Sequence, residues 1–304
     1  MDMAFNIEEH LLGVSAFIGG TANVIMQLAR REVAYGVMES TVTSGNVFHN
    51  PFKRLRTTLT YLAVAMLGSD AERAAYRDAI NQVHKQVKST PQSPVRYNAF
   101  DKELQRWVAA CLYFGSSDLI EKISGPMSAE TADAFYAHSV RLGSTLQMPE
   151  GLWPKDRHAF AAYWQEALAT LEIDARTRAY LHALIDLKML PKPLQLLAPL
   201  HRFWVTGCLP ERLREQMQLP FSSTQERCFK AMLRALGQVM KYLPRALRQF
   251  PLNYYLWDFR RRLRQGQRWF SAPPPNGRAP HAVFCSFQLS AGAYQCPPAA
   301  YWSA

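Results

Sequence analysis

The sequence predicts an all-α protein built as a single domain of roughly ten helices. Apolar residues recur at helical spacing in one segment after another, and two capping-box patterns mark helix starts. The sequence contains no alternating strand pattern of useful length before residue 270, and neither a Rossmann nor a P-loop glycine motif.

The first helical segment, residues 11–36, is apolar and is interrupted by Gly13, Gly19 and Gly20. Glycines at these points favour close approach of another backbone or a flat ligand. A polar, β-branched loop over residues 39–50 follows. Pro51 then stands at the start of the next helix, where its missing N–H costs nothing.

A helical hairpin over residues 50–88 is the centre of the predicted fold. Its first helix covers residues 52–67, and Gly68 ends it in the left-handed cap conformation. Ser69 and Glu72 form the capping box that begins the second helix.

Three polar side chains converge in this hairpin. Arg54 and His84 each lie fifteen residues from position 69, so at 1.5 Å per residue both are roughly 22 Å from the turn and face each other. Thr58 is four residues after Arg54 and shares its helix face. The hairpin is therefore the predicted site.

Capping residues, apolar spacing and prolines predict the remaining helices. Asp101 and Ser128 begin two of them, and Ser223 with Glu226 forms a second capping box. The predicted ranges are 102–114, 129–142, 158–171, 175–189, 199–206, 210–218, 223–242 and a basic segment over 253–268, with prolines breaking the chain at 149–154 and 191–199.

The last part of the chain differs in composition. Residues 271–304 hold six of the 19 prolines and almost no charge. We therefore assign residues 1–270 to the helical domain and residues 271–304 to a poorly ordered, proline-rich tail.

Composition indicates a globular protein of a reducing compartment. Of the 304 residues, 48% are hydrophobic and 19% charged. The five cysteines are odd in number and form no C-x-x-C pair, which argues against a disulfide framework or a zinc site. The first ten residues lack the basic region of a signal peptide, and the polar residues within 11–29 favour a buried helix over a membrane span. We therefore expect a cytoplasmic location.

The net charge of +11 is unevenly placed. Residues 241–268 carry eight basic side chains against one acid, Asp258. Such a segment can be a solvated helix face, a nucleic-acid site or a contact for an anionic membrane.

Histidine spacing limits the chemistry. No two of the eight histidines stand at i,i+3 or i,i+4, and the sequence has neither H-E-x-x-H nor G-x-S-x-G. A single-histidine site remains, and a haem iron needs only one imidazole with cations near its propionates. His84, with Lys85 and Lys88 beside it and Arg54 opposite, meets that requirement, although a structural histidine is the alternative.

The order of several short motifs resembles the MpaB/rubber-oxygenase family, which includes the latex-clearing proteins and the oxygenase of mycophenolic acid biosynthesis. The resemblance covers roughly residues 11–262. Its pieces, in order, are Gln27-Leu28-Ala29, Val33 to Gly36-Val37, Asn50-Pro51, Arg54-Leu55, Thr58, Tyr61-Leu62, Gly68, His84 with Val87, Tyr97-Asn98-Ala99-Phe100-Asp101 and Trp107-Val108.

This resemblance implies a globin-like fold that binds haem b, with His84 as the proximal iron ligand and Arg54 and Thr58 in the polar set near the haem. It also implies an acid upstream of the arginine, for which Glu39 is the nearest candidate. A solvent-facing loop acid is the other interpretation of Glu39.

Two positions depart from the family pattern. The residue before the motif threonine is usually basic and in some rubber oxygenases is a lysine that caps the iron, whereas this chain has Thr57. A lysine-capped state is therefore excluded from that position. Cys111 stands where relatives often carry a polar residue, and we expect it to fill the core.

Three hypotheses follow. The first is a haem-dependent oxygenase or peroxidase for a small apolar organic substrate, in which neutral His84 holds iron through one ring nitrogen and a hydrogen bond orients the other. The second is a non-catalytic haem-binding protein for sensing or trafficking. The third is a basic protein that uses Arg260–Arg264 on nucleic acid or a membrane surface. We expect no nucleic-acid partner under the first, and peripheral membrane contact through Arg260–Arg264 remains a further expectation.

Overall fold

Helices form the regular structure of the residues that this computed structural model describes, 5–42 and 45–267. The prediction of an all-α fold is confirmed, since these residues contain one isolated bridge, Lys88 to Asn98, and no strand. The predicted tail, 271–304, lies outside the described residues. The compact unit that contains the helices spans Met1–Phe270.

The chain forms more helices than predicted, because several predicted ranges are broken into shorter helices, whereas α7 runs to Ser124, beyond its predicted end at residue 114. The α-helices are α1 Ile7–His10, α2 Gly13–Ile18, α3 Gly20–Leu28, α4 Arg31–Met38, α5 Pro51–Leu67, α6 Asp70–His84, α7 Lys102–Ser124, α8 Ala129–Ser139, α9 Arg141–Ser144, α10 Arg157–Thr170, α11 Ala175–Ile185, α12 Lys192–Gln195, α13 Ala198–Cys208, α14 Glu211–Gln216, α15 Ser223–Tyr242, α16 Arg245–Gln249 and α17 Leu252–Arg264.

Close packing explains the glycines of the amino-terminal segment. A Cβ at Gly13 would meet the backbone carbonyls of Gln249 and Phe250, so α2 can lie directly against α16. A Cβ at Gly19 would lie 2.6 Å from Cδ1 of Leu119 on α7. The predicted single segment is therefore three helices. Gly13, the first residue of α2, and Gly19, the cap residue before α3, permit these contacts.

The turn between α5 and α6 confirms one prediction and corrects another. The Ser69 side chain accepts a hydrogen bond from the Glu72 backbone N–H at 3.3 Å, and the Glu72 carboxylate accepts one from the Ser69 N–H at 2.8 Å. Gly68 is not left-handed, because its φ and ψ are −74° and 153°. It must be glycine for space, since a Cβ there would lie 2.5 Å from the Val64 carbonyl oxygen.

The second predicted capping box is shifted by one residue. Ser222, not Ser223, caps α15. The Gln225 side-chain oxygen accepts a hydrogen bond from the Ser222 backbone N–H at 2.8 Å. Glutamine can serve in place of glutamate because its side-chain carbonyl is also an acceptor.

The central helix of the core is α7. Its Trp107 is fully buried, donates a hydrogen bond to the Gln27 carbonyl at 3.1 Å and stacks on Trp164 with ring centroids 5.3 Å apart. Cys111 is also fully buried, as expected for a core residue. On another face, Gly237 of α15 lies directly against the Ile123 carbonyl near the end of α7.

The basic segment forms α17, which packs on α5 and α6. Leu252, Leu256 and Phe259 are buried, and the Phe259 ring meets the Tyr76 ring edge-on at 5.6 Å. Arg260 of α17 pairs with Glu72 at 2.6 Å. Because α17 covers the outer side of the hairpin, it supports the helices that carry the predicted site.

No helix in the described part of the chain is long and apolar enough to cross a membrane.

Replacing Gly237 with alanine should separate α15 from α7. The added methyl group overlaps the Ile123 carbonyl, and overpacking of this kind costs about 1–3 kcal/mol. We expect urea denaturation to show a free energy of unfolding lower by that amount. Gly20→Ala is the matched control, because a Cβ at Gly20 meets nothing within 4 Å. Equal stability of the two variants would contradict the close contact.

Candidate functional site

The hairpin brings the predicted polar residues to the same end of two helices. Arg54 and Thr58 lie in the first half of α5, and His84 is the last residue of α6. Arg54 is near enough to His84 for its charge to lower the pKa of the imidazole. Phe100 meets the His84 ring edge-on at 6.2 Å.

His84 is held as a neutral imidazole. Burial, and then the positive charge of Arg54, lower its pKa from 6.5 to about 4. Its Nδ1 is buried and has no hydrogen-bond partner among the described residues. A neutral imidazole with a free nitrogen is the form that can bind a metal.

Arg54 lies in the first half of α5 with its side chain exposed to solvent. The protein groups packed around the guanidinium lower its pKa from the ordinary value, mainly through desolvation. Within residues 5–42 and 45–267 no carboxylate pairs with Arg54, and its nearest electrostatic partners are the phenols of Tyr180 and Tyr76.

The two threonines make hydrogen bonds within their own helix. Thr58 Oγ1 donates to the Arg54 carbonyl at 3.0 Å, and Thr57 Oγ1 donates to the same oxygen at 2.9 Å. The Thr58 hydroxyl proton is thus already engaged, and its oxygen lone pairs remain as acceptors. To donate a hydrogen bond to a ligand, Thr58 would have to give up its bond to the Arg54 carbonyl.

Glu39 lies at the end of α4 and ties three segments together. Its carboxylate accepts hydrogen bonds from Ser93 at 2.6 Å and Tyr97 at 3.0 Å, and Arg176 at the start of α11 lies 4.0 Å away. Glu39 makes no hydrogen bond or ion pair with Arg54, Thr58 or His84 among these contacts. The structure therefore brings Arg54, Thr58 and His84 together and leaves Glu39 in a neighbouring network.

Tyr180 is the site residue that the sequence reasoning missed. It lies on α11, its pKa is raised to about 12 by burial, and Arg54 opposes that shift. Its ring packs edge-on against Phe48 at 5.1 Å. Only the tertiary fold brings residue 180 to residue 54, so no local spacing could reveal it. The nearest signal was an aromatic residue on a predicted helix.

The described residues offer no multi-residue metal site. No group of three or more His, Cys, Asp or Glu side chains within 5–42 and 45–267 is arranged to hold a metal ion. Two shallow surface depressions, of about 500 and 400 Å³, are lined by residues of the α10–α11 and α14–α15 regions and not by Arg54, Thr58 or His84.

The basic segment is partly neutralised within the chain. Arg261 and Arg262 pair with the buried Asp258 at 2.9 and 2.8 Å, and Arg260 pairs with Glu72. The predicted contact through Arg260–Arg264 therefore contains three arginines that already have a carboxylate partner.

The fold and site define an all-α protein with a neutral imidazole, His84, close to the guanidinium of Arg54. The chain belongs to the family described as "ER-bound oxygenase mpaB/B'/Rubber oxygenase, catalytic domain", whose model matches residues 7–240. That description indicates an oxygenase-type function. The match ends before α17, although α17 packs directly on α5.

Close relatives exist in mycobacteria. Proteins of Mycobacterium bovis and Mycobacterium tuberculosis are each 50% identical over 248 residues, which is 81% of this chain and 97% of the relative. Both are described only as uncharacterized proteins. No solved structure matches the chain.

The low pKa of His84 predicts that the folded chain loses stability as the pH falls. An unfolded histidine titrates near 6.5, so between that pH and about 4 the unfolded state binds a proton that the folded state does not. Stability therefore falls as pH falls through this window. At pH 5 the His84 contribution is about 2 kcal/mol, and His84→Gln should lose that part of the decline.

Urea denaturation at pH 7.5 and pH 5 measures this difference. His138 and His182, whose pKa values are also lowered by burial, are unchanged in the variant, so the comparison isolates His84. The exposed His158, changed to glutamine, is the matched control and should follow the wild-type curve. A His84→Gln curve parallel to wild type would show that the imidazole is not buried as described.

Proposed function

We propose that this chain is a haem b-dependent oxidoreductase of the oxygenase or peroxidase type. Its substrate would be a small apolar organic molecule, with O₂ or peroxide as the second reactant. The observation that carries the proposal is the buried, neutral His84 imidazole, which has an unpartnered ring nitrogen and lies near an arginine without a carboxylate.

The residues present fit haem in two respects. A buried polar atom without a hydrogen-bond partner costs about 1–3 kcal/mol of stability. Coordination of iron by the imidazole would give its buried nitrogen a partner. Arg54 is a permanent cation without a carboxylate partner among the described residues, and a haem propionate is an anion that could pair with it. The ligand set therefore needs one neutral nitrogen and one cation, and the hairpin supplies both.

Each residue then has a separate task. His84 would hold the iron, and its low pKa keeps the ring nitrogen free of a competing proton. Arg54 would bind and orient a propionate, or an oxygen atom carrying negative charge. Haem, when bound, supplies the oxidation chemistry with O₂ or peroxide. Phe100 and Tyr180 would restrict water around the bound group, because the Phe100 ring lies beside His84 and the Tyr180 ring lies near Arg54.

The side chain at position 57 leaves the site without a lysine cap. Thr57 is short, and its hydroxyl donates to the Arg54 carbonyl. It carries no charge and no nitrogen ligand. This position therefore would not compete with a small oxidant for the iron.

Glu39 enters the proposal as the upstream acid that the family resemblance implies. To hold or move a proton, its carboxylate would exchange one of its two hydrogen-bond donors, Ser93 or Tyr97, for a water or substrate group. The same contacts would also serve a purely structural role, so activity and stability must be measured separately.

The axial role of His84 predicts a spectroscopic loss. Purified or haemin-reconstituted wild-type protein should show a Soret band that shifts on reduction, and His84→Ala should lose it. His158→Ala, with an exposed histidine on α10, is the matched control and should keep the band. Full haem retention by His84→Ala at the same stoichiometry would contradict the assignment.

The same preparations separate the enzyme from a haem carrier. Arg54→Gln should keep the Soret position and weaken haem affinity by about tenfold, since a charge-assisted pair contributes on the order of 1–2 kcal/mol. Consumption of O₂ or peroxide with conversion of an apolar substrate supports the oxidoreductase. Haem binding without any turnover would favour the non-catalytic alternative.

Glu39→Gln distinguishes the two roles of that carboxylate. If Glu39 moves a proton, the variant keeps its Soret band and its melting temperature and loses turnover by about 10²-fold or more. If Glu39 only joins segments, the melting temperature falls and turnover per folded molecule is unchanged. Ser93→Ala, which removes one donor to the carboxylate and leaves the acid in place, is the control for the structural part.

A further inference from the structure

The surface formed by α16 and α17 exposes large apolar and aromatic side chains. Leu247 is 57% exposed, Phe250 50%, Tyr254 49% and Trp257 52%, and Tyr242 at the end of α15 is 87% exposed. The Phe250 and Tyr254 rings lie 6.5 Å apart, and the Tyr254 and Trp257 rings 5.9 Å apart. We call these five residues the aromatic face. Neighbouring exposed aromatic side chains such as Phe250, Tyr254 and Trp257 are typical of interaction sites, because large exposed apolar patches are rare on monomeric soluble proteins.

The exposed aromatic residues of α17 lie on a different side of the helix from the residues that pack against the core. The buried residues Leu252, Leu256 and Phe259 follow helical spacing and face α5. Tyr254, Trp257, Arg261 and Arg264 follow the same spacing on another side, and all four are exposed. The helix therefore has one apolar stripe for the core and a second, aromatic and basic stripe for solvent.

Positive charge surrounds the aromatic face. Residues 239–264 contain seven basic side chains and one acid, Asp258, which is only 4% exposed. Glu8 and Glu72, which lie on other helices, form ion pairs with arginines of this segment. The segment keeps an excess of four positive charges after both acids are counted. The Arg261 guanidinium lies over the Trp257 ring at 5.3 Å. Charge and aromatic rings thus occupy one surface.

From this combination we propose that the aromatic face docks on the surface of an anionic phospholipid membrane. Tyrosine and tryptophan rings prefer the headgroup level of a bilayer, and lysine and arginine are attracted to anionic headgroups. Leu247 and Phe250 would enter the acyl boundary. A nucleic acid would use the cations and leave these two apolar side chains in water, so the lipid surface fits the whole face.

The residues assigned to this contact differ from those that the sequence suggested. Arg260 and Arg262 are tied to Glu72 and Asp258, and they stabilise the packing of α17 on the hairpin. Lys241 and Arg264 are exposed and have no carboxylate partner within the described residues. These two cations, with the five apolar and aromatic side chains, form the docking surface.

Vesicle co-sedimentation of the full chain tests the proposal. Wild type should bind phosphatidylcholine vesicles containing about one-third phosphatidylglycerol and bind pure phosphatidylcholine much more weakly. Tyr254→Ser with Trp257→Ser should reduce the partition coefficient about tenfold. Leu196→Ser with Leu200→Ser, a pair of exposed leucines at α12–α13, is the matched control and should bind as wild type.

A charge variant tests the second half of the surface. Lys241→Glu with Arg264→Glu should weaken binding to the anionic vesicles by about fivefold for each charge removed, and added salt should abolish this difference. Arg261 is left unchanged because its loss would also disturb the Asp258 pair. Unchanged melting temperatures would show that all variants are folded.

Several results would overturn the proposal. Wild type that binds neither vesicle, or a Tyr254/Trp257 variant that binds as wild type, removes the lipid partner. Loss of binding in the leucine control equal to that in the aromatic variant removes the specificity of the face. Salt-sensitive DNA binding without vesicle binding assigns the surface to nucleic acid, and a dimer that Trp257→Ser dissociates assigns it to a second copy of this chain.

Discussion

The burial of Tyr76 is the interaction on which the candidate site depends. Its ring lies between α5 and α17, tilted against Tyr61 and edge-on to Phe259, and its hydroxyl donates to the Thr57 carbonyl at 2.8 Å. Only 1% of the side chain is exposed, and burial raises its pKa. One residue therefore fixes the distance and rotation of three helices. Arg54 and Thr58 lie within a turn of Thr57, and His84 is eight residues beyond Tyr76, so their positions follow from this contact.

The site places the permanent cation of Arg54 near His84, an imidazole that would also become a cation if it were protonated. Arg54 lowers the pKa of His84, so both charges together would be costly, and the protein avoids this by keeping the imidazole neutral. The guanidinium itself has no carboxylate within the described residues. An anion bound beside the guanidinium would therefore be favourable. Any ligand that brings negative charge and accepts a lone pair from nitrogen would therefore stabilise the folded chain as it binds.

Local rules predicted the hairpin well and the surroundings of the site poorly. The Ser69–Glu72 capping box and the equal distances of Arg54 and His84 from the turn both follow from local sequence spacing, and both agree with the structure. The conformation of Gly68 depends on the Val64 carbonyl, which the glycine rule does not consider. Tyr180 and Asp258 act on α5 from distant parts of the chain. Contacts of this kind depend on how helices stack, which periodicity alone does not determine.

The position of α17 shows that the end of the family match and the end of the packed helices are different points in the chain. The family match ends at residue 240, yet the helix that covers α5 begins at Leu252. A chain cut at the end of the matched region would keep every candidate site residue. It would also leave the Tyr76 ring and the outer side of α5 in water. The segment that matches the family model is thus shorter than the segment that packs around the hairpin, and we expect changes in α17 to act on the site through the stability of α5 and α6.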